Sequence, residues 1–485
     1  MESPVAPVWS EEAGRPDAEA DVVVVGSGCA GLSAAIEAAR AGLEVVVLER
    51  AGIAGGASAM SGGCVYLGGG TPIQQACGFE DTAEDMYAFV MAATGPGADA
   101  AKVDLYCRHS VEHFHWLTEC GVPFRASLYT GTFPEPLTDD GLMFTGGENG
   151  FPFNQMARPA PRGHVPIAHN KRPMGHTSGV VLMRHLTAAA EAAGVETVTD
   201  AAVQRLVRHR DGAVSGVVVR QDGAERHVLS RRGVVLAGGG FIYNEEMLAH
   251  HAPHLLGKAK LGTDGDDGRC IRMAQALGAE TLHMEAAEAA FGLPELYLEG
   301  LLVNGLGQRF INEDTYFGRI GQAVLFRQSG KAFAIIDDAI NEALSDIGRF
   351  YPAGWVAADA AELGRELGMA PGVLEETLTT YNRHAGHGED PLFHKAERWL
   401  RPLEPPLGAI ELGDAAFVSF TLGGLHTDVD ARVIDVDGHP IPGLHAAGRT
   451  TSGIPGWGYC SGMSLGDGTF FGRRAGRALA AGAGE

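Results

Sequence analysis

The stretch DVVVVGSGCAGLSAAIEAARAGLEVVVLER, residues 21–50, decides the fold. Four consecutive valines, 22–25, read as a strand buried on both faces, the pattern of a parallel sheet. A G-x-G-x-x-G turn follows at Gly26, Gly28 and Gly31, then an alanine-rich run with helical character, then a second valine strand ending on Glu49 and Arg50. Gly26 permits a tight turn, Gly28 lets backbone approach a pyrophosphate, and Gly31 lets helix and strand pack closely. The helix N-terminus, with Ala30 in its first turn, faces the phosphate charge, and Glu49 can accept hydrogen bonds from a ribose diol. A glycine triplet alone is weak evidence. Strand, turn, helix, strand and acid in register make a dinucleotide-binding Rossmann-like unit.

The next segment, AGIAGGASAMSGGCVYLGG (51–69), is again glycine-rich, and a backbone-lined loop there suits a long cofactor such as FAD. On these residues the chain resembles the flavoprotein family of fumarate reductases and 3-ketosteroid dehydrogenases. The resemblance implies that Gly55, Gly56, Ala57, Ser58, Ser61, Gly62 and Gly63 run beside the pyrophosphate and flavin. Relatives that attach flavin covalently use a histidine near this loop. None lies between Glu49 and Gly63, so the resemblance implies non-covalent FAD.

The likeness recurs further along. RRGVVLAGGGF (231–241) resembles the family's strand ending in a glycine turn, implying contacts from Ala237 and Gly238. TDGDDGRCIRMAQALGA (263–279) resembles its helix entry, with Asp264 at the cofactor. Val203 falls where the family's backbone meets adenine, and the A-A-G of residues 446–448 leads Gly448 back to the flavin. The family usually carries Glu after that A-A-G; this chain has Arg449.

These matches fall in 21–284 and again after about 412. Between them lie strand-like KAFAIIDD (331–338) and amphipathic APGVLEETLTTYNRHA (370–385), without nucleotide signatures. The expected architecture is α/β: an N-terminal extension (1–20), a Rossmann-like FAD-binding domain with a parallel sheet in two parts (21–284 and 412–485), and an interrupting α+β capping domain (285–411).

GIPGWGYCSGMSLGDGTFFGRRAG (453–476) places Tyr459 and Ser461 just before a glycine turn that enters a helix. If that helix meets the flavin, the backbone amides of Ser464 and Leu465 can stabilise charge on the ring. The segment resembles the 3-ketosteroid Δ4-(5α)-dehydrogenases, which put a double bond between C4 and C5 of 3-keto-5α-steroids. That subgroup also has a tyrosine in an N-E-D-T-Y segment, here Tyr316 in NEDTYFGRIGQ. The resemblance implies Ser461 as base at C4, Tyr316 as its proton relay, and Tyr459 as the donor that stabilises an enolate on the C3 oxygen.

Other classes fit less well. Fumarate reduction needs cationic clamps, which the family supplies from an H-H-T-M-G-G and an H-G-x-N-R-L-G-G segment. The corresponding stretches here are SFTLGG (419–424) and GWGYCSGMSLGD (456–467), without those cations. Δ1-dehydrogenation and reduction of a 4-ene stay open as alternatives. A flavin-fold protein that only binds a partner is opposed by the complete set Gly26, Gly28, Gly31 and Glu49.

Lys+Arg number 37 against 60 Asp+Glu, a net charge of −23 that repels nucleic acid and anionic membranes. Seven cysteines without a C-x-x-C pair, and an acidic first twenty residues without an apolar core, lead us to expect a cytoplasmic protein. The expected partners are a small apolar ketone of the steroid class and an electron acceptor of unknown identity. Histidines 109, 113 and 115, and the three in HHAPH (250–254), lack a ligand pattern, so no metal is expected.

Overall fold

The computed structural model describes residues 6–131, 136–169, 171, 177–291, 298–346, 353–413 and 417–482. Its largest sheet has nine strands. Ala18–Val25 lies at the centre, parallel to Val45–Leu48 on one side and to the C-terminal half of Ala224–Leu236 on the other. Glu196–Val198 and Pro440–Ala446 extend the parallel portion outward. Valines 22, 23 and 24 are fully buried, as expected of a strand covered on both faces. The N-terminal half of Ala224–Leu236 instead joins an antiparallel meander with Val214–Gln221 and Ala202–Arg208. Within residues 6–20, Val8–Trp9 pairs with Ala202–Arg208, and the central strand already begins at Ala18.

Between the strands Ala18–Val25 and Val45–Leu48 runs the helix Cys29–Arg40. Gly26 has φ +102°, and a Cβ there would sit 2.5 Å from the Ala237 carbonyl oxygen. A Cβ on Gly31 would overlap the Gly26 carbonyl oxygen. These two glycines are therefore demanded by packing inside the protein itself.

The helix Met463–Ala481 crosses Cys29–Arg40 closely. Gly472 and Gly476, one turn apart, make this possible, since a Cβ on either would overlap the carbonyl of Ala30 or Ala34. Backbone-to-backbone contact fixes where the N-terminus of that last helix lies, and with it the residues 459–465.

A second core forms from residues 301–412. Four antiparallel strands, ordered Leu301–Asn304, Ala332–Asp337, Leu407–Glu411 and Trp355–Ala357, carry the helices Ala360–Glu366 and Val373–Ala385. A three-stranded sheet of Ala259–Lys260, Phe417–Thr421 and Ala287–Phe291 joins the two parts. It draws strands from both sides of the expected boundaries at 285 and 411.

Candidate active site

At the C-terminal end of the strand Val45–Leu48, Glu49 is buried and both of its carboxylate oxygens accept from the protein, with Oε1 keeping room for a further donor. Oε2 accepts from the Ser27 backbone N–H at 2.9 Å and its hydroxyl at 2.6 Å, and Oε1 accepts from Ala51 N–H at 2.9 Å. The Ser27 hydroxyl oxygen in turn accepts from Gly55 N–H at 3.1 Å, tying the glycine loop to the first turn. Ser58 reaches the helix N-terminus, its Oγ accepting from Cys29 N–H at 3.1 Å. Ser61 bonds Ser58 O at 2.7 Å and accepts from Gly63 N–H at 3.2 Å. Gly56 opens the short helix Gly56–Ala59, which contains Ala57, and Gly62 lies between the bonded Ser61 and Gly63.

Gly28 differs from its neighbours. Its φ is −67°, which any residue adopts, and a Cβ would meet only Ser58 Oγ at 3.4 Å. The space in front of Gly28 is thus bounded by a hydroxyl and the helix N-terminus, which fits a phosphate group. Val203 is buried in the meander one strand-end away, next to Ala201, whose N–H bonds Glu49 O at 2.8 Å. Ala237 N–H bonds Val25 O at 2.8 Å, bringing Gly238 beside the turn at Gly26.

Asp264 lies in the turn that precedes the helix Arg269–Gln275. It is exposed, and what it offers is a backbone carbonyl, 3.5 Å from Arg50, which pairs with Asp267 at 2.8 Å. The buried acid of this turn is Asp266, missed in the sequence because the run D-G-D-D offers three carboxylates. Asp266 accepts from Gly240 N–H at 3.0 Å, from Thr263 N–H at 2.9 Å and from Arg449 at 2.9 Å. Arg449 therefore has a partner in the protein, and its guanidinium also lies 5.2 Å from the Phe420 ring centre. Gly448, at φ +67°, abuts Ala30, where a Cβ would lie 2.9 Å from the alanine methyl.

The C-terminal segment meets these elements at the helix N-terminus. Gly462, φ +94°, reverses the chain so that the Tyr459 ring folds back, and its phenol oxygen accepts the Ser464 N–H at 3.2 Å. That amide was expected to face a cofactor; the turn gives it to the phenol. Among the described residues the Leu465 N–H has no acceptor, which leaves a helix-terminal donor for an anionic ring edge.

Tyr316 follows the strand Leu301–Asn304 in the chain, and its ring packs in one apolar cluster with Tyr459 and Cys460. Its motif NEDTY is held rigidly: Glu313 pairs with Arg309 at 2.7 Å and accepts from Leu302 N–H at 3.1 Å, while Asn312 donates to Phe151 O at 3.0 Å and Asp314 accepts from Ala396 N–H at 2.8 Å. Tyr316 then caps the helix Phe317–Gln322, and its hydroxyl lies 3.3 Å from Ser461 Oγ. It donates at 2.8 Å to Glu288, a buried carboxyl on the strand Ala287–Phe291 that sequence reasoning did not find. The signal was a single acid inside AAEAAF, and nothing in the local pattern tied it to a tyrosine 28 residues away.

Burial pushes the Tyr459 phenol up, and burial followed by the Glu288 carboxyl pushes Tyr316 up, so both are neutral donors. Around the three hydroxyls the surface is apolar: Phe420 packs edge-on to Tyr459 at 5.3 Å, with Leu422 and Phe317 nearby. Of the histidines 109, 113 and 115, the first and last are exposed and only the middle one packs inside. His113 is buried between Thr469 Oγ1 at 2.7 Å and Arg473 at 2.9 Å. A surface groove of about 860 Å³ lined by Arg231, Arg474 and Arg477 lies near the other end of the sheet, and these arginines already pair with Asp21, Asp430 and Glu37.

The FAD binding domain family matches residues 21–465. The chain belongs to that family. A solved 3-ketosteroid-Δ4-(5α)-dehydrogenase from Rhodococcus jostii RHA1, in complex with 4-androstene-3,17-dione, is 50% identical with a TM-score of 0.95, covering 98% of this chain and 100% of that one. A 3-oxo-5-alpha-steroid 4-dehydrogenase from Comamonas testosteroni is 30% identical, over 88% of this chain and 92% of the relative. A fumarate reductase (cytochrome) from Shewanella frigidimarina is 29% identical, over 96% of this chain and 78% of that protein. The chain is thus an FAD-dependent oxidoreductase of the FAD binding domain family. Gly28, Glu49, Ser58 and the Leu465 amide fit that cofactor. Among the described residues no helix is long and apolar enough to cross a membrane.

Proposed function

We propose that the protein introduces the C4–C5 double bond into 3-keto-5α-steroids. The observation that carries this reading is the contact between Ser461 and Tyr316, with Tyr459 beside them in an apolar setting. A hydrogen on C4 is acidified by the C3 ketone. Ser461 takes it as its own hydroxyl proton passes to the Tyr316 oxygen, within reach at 3.3 Å, and the phenol gives up its own proton in turn. Tyr459 already accepts from Ser464 N–H, so its O–H is left to donate to the C3 oxygen as negative charge builds there. FAD, when bound, accepts the hydride equivalent released from C5.

Phe420, Leu422 and Phe317 suit a flat apolar ketone and offer a dicarboxylate nothing. The Rhodococcus and Comamonas relatives, named for this chemistry, support the same reading. Non-covalent FAD is supported by the absence of histidine in residues 51–69. Seven cysteines, none of them in a disulfide, support action in a reducing compartment, the cytoplasm. An electron acceptor must reoxidise the cofactor.

The test is anaerobic. Purified yellow protein is mixed with 5α-androstane-3,17-dione while the visible flavin band is followed. Bleaching, with NMR placing the alkene at C4–C5, supports the proposal. A 1-ene product supports Δ1-dehydrogenation instead, and no bleaching by any 3-ketosteroid overturns the substrate class.

A further inference from the structure

We propose that Glu288 is the terminal proton acceptor of the hydroxyl chain Ser461–Tyr316–Glu288. This rests on the dehydrogenation reading above and extends it by one residue, which acts on the substrate only through Tyr316.

The geometry is specific. Tyr316 Oη sits between two partners, Ser461 Oγ at 3.3 Å and Glu288 Oε1 at 2.8 Å. Glu288 is 1% exposed, and its Oε2 has no hydrogen-bond partner among the described residues. Among the described residues no cation lies within ion-pair distance of it. Its cross-strand neighbour is Phe420, and the ionisable groups that face it are Tyr316 at the start of one helix and Tyr459 and Cys460 of the C-terminal segment. A carboxylate held only as a structural anion would be paired on both oxygens. This one has a single donor and a free oxygen, so its charged form is poorly stabilised and binds a proton avidly. Space for it is made by Gly318, where a Cβ would overlap Glu288 Oε1 and crowd the Tyr316 ring.

The proton inventory closes. The C4–H bond breaks and its proton joins Ser461 Oγ. The serine hydroxyl proton moves to Tyr316 Oη, and the tyrosine proton moves to Glu288 Oε1. Both hydroxyls are regenerated, and the carboxylate becomes a carboxylic acid, which releases the proton to water before the next turnover. The electron pair leaves separately from C5 to the cofactor. Run backward, the same chain supplies a proton for reduction of a 4-ene.

Burial pushes the Glu288 carboxyl up to about 8. Only its ionised form can accept, so dehydrogenation accelerates as pH rises through about 8, while the protonated form favours the reverse direction.

The experiment compares wild-type holoenzyme with Glu288→Gln and Tyr316→Phe in two measurements. The first is infrared spectroscopy against pH, without substrate. A carboxylic-acid C=O band in the wild-type-minus-E288Q difference, lost on titration through about pH 8 and shifted in Y316F, supports the proposal. No such band, or one indifferent to Y316F, overturns it. The second is anaerobic stopped-flow bleaching by 5α-androstane-3,17-dione across the same pH range. Gln keeps the acceptor oxygen for Tyr316 but takes no proton, so E288Q is expected to slow bleaching by about 10²-fold and lose the limb near pH 8. An E288Q rate and pH profile equal to wild type overturns the proposal even if C4–C5 chemistry is established. If wild type itself fails to bleach, the substrate reading falls alone, and the infrared titration still decides whether Glu288 takes and gives up a proton through Tyr316.

Discussion

Replacing Tyr459 by Phe removes one oxygen with two jobs. The phenol donates to the C3 oxygen in the proposed mechanism, and in the protein it accepts the Ser464 N–H at 3.2 Å. The first loss is that of a preorganised donor facing developing charge in a water-poor site, worth about 2.7–4 kcal/mol, or about 10²–10³ in rate. The second leaves the Ser464 amide without its acceptor, at about 1–3 kcal/mol of stability. The ring itself stays, because Phe420 packs against it edge-on and needs no hydroxyl. Y459F should therefore fold, hold FAD, melt modestly lower, and bleach about 10²–10³ more slowly. The assay is anaerobic stopped-flow bleaching, run beside Ser461→Ala, which should lose the proton-transfer step altogether. A Y459F rate within about threefold of wild type would refute the oxyanion role, being under 1 kcal/mol. Y459F inactive while S461A remains active would make the tyrosine the base and favour the Δ1 alternative.

Three further outcomes follow from other contacts. Gly28→Ala and Gly31→Ala should separate cofactor binding from folding: the first clears the protein and loses FAD, whereas the second overlaps the Gly26 carbonyl and destabilises by about 1–3 kcal/mol or more, read by flavin content and urea unfolding. Asp266→Ala strands Arg449 and two backbone N–H groups, at about 3–5 kcal/mol, while Arg449→Ala costs less; the double mutant should be non-additive in urea, and strict additivity would deny the pair. Burial lowers His164 to about 4, so the native state resists its protonation. That stabilisation is complete above the ordinary histidine value near ~6.5 and is lost as pH falls toward about 4, by about 3 kcal/mol; His164→Gln should flatten the acid limb of the Tm–pH curve, and an unchanged limb would count against it.

The nucleotide half of the site was legible because it is local. Val22 to Glu49 sit within thirty residues, and their roles depend on backbone conformation and strand order, which glycine spacing and apolar runs encode directly. Two details were not local enough. In D-G-D-D the buried member is Asp266, chosen by which carboxylate the turn aims at Gly240 and Thr263. The Ser464 amide goes to Tyr459 because Gly462 folds the chain back, a turn whose direction the sequence does not state.

What the sequence by itself determined is the Rossmann-like frame, the glycines that packing requires, and the identity of three hydroxyl residues in two short motifs. What only the tertiary structure decided is that Ser461 and Tyr316 come within 3.3 Å of each other, with Glu288 bonded to the same phenol. Ser461 and Tyr316 are 145 residues apart in the chain. They meet because Gly472 and Gly476 seat the last helix against Cys29–Arg40, while Glu313, Asn312 and Asp314 clamp the segment that carries Tyr316. Glu288 and Arg449 likewise acquire meaning only from their partners. A periodicity along the chain reports which face of an element is buried; it carries no information about which side chain of a distant element will be found there.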